Sequence, residues 1–199
     1  MKIKILFAII LAILLIPFSA RAVTQETIDH LIFLLSQPEL DDWSEGAFDS
    51  TTLYEGFTAI HQQAIDEGDE ILFRRVLWAM GETRLTVFLP FLISSLDSEP
   101  IVVCYALGKI SSEAGVYVLI GKLDDDDMYV REASAYALGT MNYISDMSVA
   151  RDDAVIALQA HLLTEPEYWV KDTIRAAITT IETGVSPWES YPDGAERSR

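Results

Sequence analysis

The sequence predicts an all-α protein, an α-solenoid of about four to five helical hairpins. After residue 22 the apolar side chains recur at intervals of three and four residues, which is typical of helices packed on one face. No stretch alternates between apolar and polar residues for long enough to predict a strand. Short motifs also recur along the chain, at intervals of 27, 31 and 40 residues. Because one hairpin cannot bury the apolar faces of both its helices, repeated hairpins are expected to stack.

Two helices are predicted ahead of the repeats, and we interpret them as a degenerate capping repeat. The first begins after Thr24, a residue suited to the N-cap. Its apolar face is formed by Ile28, Leu31, Ile32 and Leu35. A polar segment, residues 37–49, leads to the second helix, which is expected from about Thr51 to Asp66 and stops at Gly68.

The repeated unit is a helix that ends in Ala-x-Gly, followed by a helix that ends in Leu-x-x-x-Leu. The first motif ends at Gly81, Gly108 and Gly139, and the second begins at Leu92 and Leu119. The small Ala-x-Gly pair is expected to let neighbouring helices approach closely, with the glycine supplying the conformation that ends the helix. The leucines are expected to bury one face of the second helix.

Turn residues between the helices agree with this repeat. Pro100 follows a glutamate at an expected helix start, where a missing N–H costs nothing. The segment Thr164–Glu167 fits a capping box, with Thr164 as the N-cap of the last helix. The acidic run Asp124–Asp127 is interpreted as a turn whose last residue, Asp127, caps the next helix. A divalent-metal site is the alternative, although the run does not have the spacing of an EF-hand loop.

The stretch from Asp69 to about Thr183 resembles HEAT-like repeats, particularly the short type found in phycobilisome-lyase relatives. The strongest unit has an aspartate turn, then Val130-Arg131, then alternating small residues that end in Leu138-Gly139. The sequence departs from the pattern at Phe73, which aligns with Arg131, and at Pro100-Ile101, which replaces the Val-Arg pair.

The resemblance implies an armadillo/HEAT-like superhelix and assigns roles to two sets of residues. Arg131, and Lys171 at the equivalent place, are expected to contact the acidic turn of a neighbouring repeat. The second helices of the hairpins are expected to line the concave side and to contact a partner. The expected contact residues are Tyr117, Lys122, Asp152, Asp153 and Gln159.

Residues 1–22 are predicted to be a cleavable signal peptide. Two lysines precede an apolar stretch, Ile5–Phe18, and small residues follow at Ala20 and Ala22, where a signal peptidase would cut. The apolar stretch has 14 residues, whereas a membrane span needs about 20. Cleavage after Ala22 would leave a solenoid at 23–183 and a flexible tail at 184–199, in the periplasm or outside the cell, with no membrane span.

The charge balance narrows the class of partner. The 199 residues include 31 acidic and 14 basic ones, for a formal net charge of −17. Three of the basic residues lie in the predicted signal peptide, so residues 23–199 carry −20. This charge argues against nucleic-acid binding and favours a basic protein or peptide as the partner. The single cysteine, Cys104, cannot form an intramolecular disulfide and is expected to be buried and inert.

No sequence motif of a hydrolase, an NTPase or a dinucleotide-binding enzyme occurs, and His30, His61 and His161 lack the spacing of metal ligands. We therefore expect a non-catalytic protein-binding scaffold or adaptor that needs neither metal nor cofactor. Two alternatives stay open. One is an enzyme, or an accessory subunit of one, of the phycobilisome-lyase-like type; the other is an envelope structural protein that depends on calcium at Asp124–Asp127.

Overall fold

A computed structural model of the chain describes residues 23–37, 48–143 and 147–190. Within these residues it contains nine α-helices and no strand, and two short 3-10 helices, Thr86–Phe88 and Pro187–Ser190. The helices are α1 (Gln25–Ser36), α2 (Ser50–Glu67), α3 (Glu70–Glu82), α4 (Leu89–Ser94), α5 (Pro100–Ile110), α6 (Glu113–Lys122), α7 (Met128–Thr140), α8 (Ser148–Thr164) and α9 (Tyr168–Thr183). The predicted signal peptide, residues 1–22, lies outside the described residues.

The helices form two layers with the apolar core between them. The first helices of the hairpins, α1, α3, α5, α7 and α9, make layer A, in which each helix packs against the next. The second helices, α2, α4, α6 and α8, make layer B, in which α6 packs against α8. The two layers pack against each other at α1–α2, α2–α3, α4–α5, α5–α6, α6–α7 and α8–α9, and α9 also packs against the 3-10 helix that follows it. This arrangement confirms the predicted all-α solenoid.

Polar side chains start five of the helices. Thr24, as predicted, accepts a hydrogen bond from the backbone N–H of Thr27 at the start of α1. The other four capping residues are Asp49, Asp69, Ser112 and Asp127, each of which accepts a hydrogen bond from a backbone N–H in the first turn. Pro100 is the first residue of α5, where its missing N–H leaves no bond unmade.

The Ala-x-Gly glycines lie at close helix–helix contacts, and their predicted role in ending the helices is wrong. All three remain inside their helices, and the glycines with a positive φ in the described chain are Gly68 and Gly184. A Cβ added to Gly81 would lie 2.5 Å from the Cα of Ala106 on the neighbouring helix. Gly108 and Gly139 face α7 and α9 in the same way. These glycines are required because the backbones of layer A touch there.

The predicted capping box at Thr164–Glu167 is also wrong. Thr164 is the last residue of α8, and Glu167 is the N-cap of α9. The backbone N–H of Glu167 instead donates to Oε1 of Glu165, at 3.0 Å. The motif fails because α8 continues through Thr164, and the carboxylate that serves the turn is the one held in place by Arg131.

Part of the predicted tail packs against the solenoid. Trp188, in the 3-10 helix after α9, is half-buried, and its ring centroid lies 4.8 Å from that of Tyr136 on α7. The same indole covers Gly139, whose added Cβ would meet it at 2.6 Å. Trp188 therefore closes the end of layer A. Residues 191–199 of the tail lie outside the described residues.

Candidate partner-binding surface

The predicted contact residues lie on two neighbouring helices of layer B. Tyr117 and Lys122 belong to α6, and Asp152, Asp153 and Gln159 belong to α8. The Tyr117 hydroxyl donates a hydrogen bond to Oδ2 of Asp153, at 3.0 Å. Further along α8, His161 Nε2 lies 3.4 Å from Oδ1 of Asp124, in the turn that follows α6. The two contacts join positions of similar separation in the chain, so α6 and α8 run parallel, side by side.

Lys122 does not offer its charge to this surface. Its Nζ lies 3.0 Å from Oδ2 of Asp125, in the turn that follows α6, and both side chains are largely buried. Burial alone would raise the pKa of Asp125, but hydrogen bonds from Lys122 and from the backbone N–H of Asp127 lower it. The lysine therefore stabilises the acidic turn, whereas Tyr117, Asp152, Asp153 and Gln159 remain available on the outside.

Three exposed apolar residues on α8 lie near the predicted contacts and were not predicted. Val149, Ile156 and Leu163 are 65%, 64% and 85% exposed, and they recur every seven residues along one face of α8. The core is filled from another face of the helix, by Ala150, Ala154 and Leu158. An apolar helix surface that finds no neighbour among the described residues is a signal for a binding site. We call the outer face formed by Tyr117, Val149, Asp152, Asp153, Ile156, Gln159 and Leu163 the α6–α8 surface.

A signal for these residues existed in the sequence. Apolar residues occur on every side of the segment that forms α8, and such a helix is either fully buried or partly reserved for a partner. Which face is left over depends on where α6 and α9 pack, and the sequence does not specify that placement.

The α6–α8 surface carries uncompensated negative charge. Glu113 and Asp152 are exposed beside the half-buried Asp153. Together with Asp153, Glu113 raises the pKa of the Tyr117 hydroxyl, although the hydrogen bond to Asp153 is the larger cause. The basic side chains of the two helices make contacts elsewhere. Lys122 pairs with Asp125, Arg151 donates to the backbone oxygen of Ile181 at 2.8 Å, and His161 lies against Asp124.

The structural role implied for Arg131 is visible in detail. Its guanidinium makes two parallel hydrogen bonds to Glu165, at 2.8 and 2.9 Å, in the turn before α9. It also donates to the backbone oxygens of Asp125 and Asp126, so it ties two successive turns together. Lys171, at the equivalent place, forms no ion pair with any described residue.

A second arginine joins successive repeats and was not predicted. Arg74 follows Phe73, the residue that aligns with Arg131, and its Nε donates to Oε1 of Glu99 at 2.8 Å. Glu99 is the N-cap of α5, so this contact also links a helix of layer A to the turn before the next one. The Val-Arg pair defines the repeat pattern, and Arg74 lies one residue after the position that aligns with Arg131. The pattern therefore does not reveal the role of Arg74.

A separate cavity of about 360 Å³ lies beside His61, between α2, α3 and the turn after α4. His61 Nε2 is 3.3 Å from Oγ of Ser95, whose own proton is donated to the backbone oxygen of Phe91. Two hydrogen bonds thus link His61, Ser95 and the backbone of Phe91, and the tautomer of the ring sets which partner donates in the His61–Ser95 pair. Burial lowers the pKa of His61, which favours the neutral ring.

The acidic turn is held by hydrogen bonds and ion pairs within the chain. Asp127 accepts a hydrogen bond from the N–H of Tyr129 at 2.8 Å and so caps α7. Asp124 and Asp125 face His161 and Lys122. Across the described parts of the chain, no group of three or more histidine, cysteine or acidic side chains is arranged to hold a metal ion.

Cys104 is fully buried, and burial raises the pKa of its thiol to about 12.

Comparison with known proteins supports HEAT-like repeats in part of the chain. Residues 100–179, from the start of α5 into α9, match the family model of HEAT repeats. No curated protein matches the chain. None of the helices in the described residues is long and apolar enough to cross a membrane.

Proposed function

We propose that this HEAT-like repeat protein is an exported, non-catalytic scaffold or adaptor that binds another protein through its α6–α8 surface. HEAT repeats commonly mediate contacts between proteins. The observation that carries the proposal is the row Val149, Ile156 and Leu163, exposed on a helix whose core face is already filled. A row of this kind, rather than a single exposed apolar side chain, marks a surface that a partner can cover.

The export part of the proposal is supported by the pattern of residues 1–22. Its test is N-terminal sequencing of the protein recovered outside the cytoplasm. We expect Val23 as the first residue, and replacement of Ala22 by a bulky residue should block processing. A protein found only in the cytoplasm, with Met1 retained, would contradict export and leave the binding surface to be judged by itself.

The binding part is tested by photo-crosslinking in cells with matched positions. A photoreactive residue replaces Ile156 in one strain and Ile71 in another, because the two side chains are 64% and 63% exposed on opposite layers. We expect one defined protein to be captured from position 156 and not from position 71. The captured protein is then purified and mixed with the wild type and with Ile156→Ser, which should bind it more weakly. Capture at neither position, or equal capture at both, would contradict the proposal.

The described residues contain no feature that favours the alternatives named above. His61 and Ser95 form a hydrogen-bonded pair inside the fold, and Asp124 and Asp125 of the acidic turn contact His161 and Lys122.

A further inference from the structure

We infer that the α6–α8 surface recognises a cationic amphipathic helix of the partner. This inference rests on the proposed function and names the chemical class of the segment that is bound. Two independent features of the surface support it: the spacing of its apolar side chains and the sign of its charge.

The spacing of the exposed apolar side chains favours a helical partner segment. Val149, Ile156 and Leu163 are two helical turns apart, about 10.5 Å from one to the next along α8. A partner helix with apolar residues every third or fourth position can pack its side chains between them along the whole row. An extended strand presents one face about every 6.8 Å, so it can match the two ends of the row but is out of step at Ile156 between them.

Small residues on α6 leave room for that helix beside the row. Ala114 and Gly121 are exposed one turn before and one turn after Tyr117. A Cβ added to Gly121 would meet nothing within 4 Å, so the surface there is open. A helix lying against α8 can therefore approach α6 closely, with Tyr117 between the two small residues.

The negative charge of the α6–α8 surface favours a cationic partner segment. Asp152 and Asp153 lie on α8 with the apolar row and Glu113 lies near Tyr117 on α6, while the basic side chains of the two helices are engaged in other contacts. A partner segment with lysine or arginine beside its apolar stripe would pair with these acids. A second copy of this chain would bring the same acids to the interface and no free cation from α6 or α8, which disfavours self-association through this surface.

The test measures binding of designed peptides to the purified full chain by fluorescence anisotropy. Three labelled peptides of about 20 residues are compared, long enough to form amphipathic helices. The first has a leucine stripe flanked by lysine, the second has the same stripe flanked by glutamate, and the third has the composition of the first in an order that breaks the stripe. We expect the first to bind, with affinity falling as salt rises, and the others to bind at least roughly tenfold more weakly.

Matched substitutions locate the binding site. Ile156→Ser should weaken the lysine peptide roughly tenfold, whereas Ile71→Ser, at the same exposure in layer A, should not. Asp152→Asn together with Asp153→Asn should weaken binding and flatten its salt dependence. Glu182→Gln, exposed on α9, is the control for loss of a charge elsewhere. Circular dichroism of each variant checks that the fold is retained.

The outcomes separate this inference from the proposed function. Equal binding of the lysine and glutamate peptides, or equal effects of the substitutions at 156 and 71, would overturn the inference. If crosslinking at position 156 captures a partner but no lysine peptide binds, the inference fails and the scaffold function stands. If the chain self-associates in sedimentation and Ile156→Ser abolishes this, the occupant is a second copy and the inference is overturned.

Discussion

Arg131 and Glu165 form a bidentate ion pair that joins α7 to the turn in front of α9. Two parallel hydrogen bonds connect them, at 2.8 and 2.9 Å, and the carboxylate is almost wholly buried. The same carboxylate accepts the backbone N–H of Glu167, the N-cap of α9. Glu165 thus fixes both the position of α9 and the first backbone N–H at its N-cap.

We expect Glu165→Ala to destabilise the protein by about 3 kcal/mol, because it leaves the charge of Arg131 partly buried without its partner. The hydrogen bond from Arg131 is the main reason that the pKa of Glu165 lies below its usual value of 4.5. A lowered carboxyl pKa stabilises the folded state above pH 4.5, and this stabilisation is lost as the pH falls toward the lowered value. Urea unfolding at neutral and acidic pH measures both effects.

Glu70→Ala is the control for that measurement. Glu70 pairs with Arg74 at 3.7 Å, but its side chain is exposed, so its loss should cost less than about 1 kcal/mol. Equal losses for the two variants would contradict the importance given to the buried pair.

Gly81 and Gly121 should respond in opposite directions to alanine. Gly81→Ala places a methyl group 2.5 Å from the backbone of Ala106 and should destabilise the protein by about 1–3 kcal/mol. Gly121→Ala meets open space on α6 and should stabilise it by about 0.5–1 kcal/mol, since alanine favours helix. Thermal unfolding of both variants decides this. A similar change in both would mean that the close contact in layer A is not rigid.

The fold could be predicted from sequence because local and repeated signals agreed. The N-cap at Thr24 and the stop at Gly68 follow from single residues, and the repeat identified the two layers. The predictions failed where one local motif is compatible with two structures. Thr164 can cap a helix or end one, and the choice depends on Arg131, a residue from the preceding repeat that holds Glu165 in the turn.

The candidate surface was predicted in part for a related reason. Tyr117 and Asp153 could be placed on neighbouring second helices, and they form a direct hydrogen bond. Lys122 lies on the same helix as Tyr117, but its side chain contacts the acidic turn. Its Nζ lies 3.0 Å from Oδ2 of Asp125. The exposed row that contains Ile156 was not predicted, since apolar residues occur on every side of α8. Only the packing of the helix shows which of them remain exposed.

Trp188 provides a test of the end of the solenoid. Trp188→Ala should destabilise the protein by about 1–2 kcal/mol, because it uncovers Tyr136 and Gly139 on α7. Val185→Ala is the control in the same segment, since that side chain is 65% exposed and should contribute little. Chemical unfolding of both variants measures the difference. No effect of the tryptophan substitution would mean that the segment after α9 does not close layer A.

His61 should make stability depend on pH in a different range from Glu165. Burial lowers its pKa from 6.5, so the unfolded chain takes up a proton before the folded protein does. Its contribution to the unfolding free energy is therefore constant above pH 6.5 and falls as the pH drops below that value, by at most about 1.4 kcal/mol per pH unit. His61→Gln should remove this slope while keeping a hydrogen-bonding amide beside Ser95. Unfolding curves of the wild type and the variant between neutral and mildly acidic pH measure it. An unchanged slope in His61→Gln would show that the ring is protonated as easily in the folded protein as in the unfolded chain.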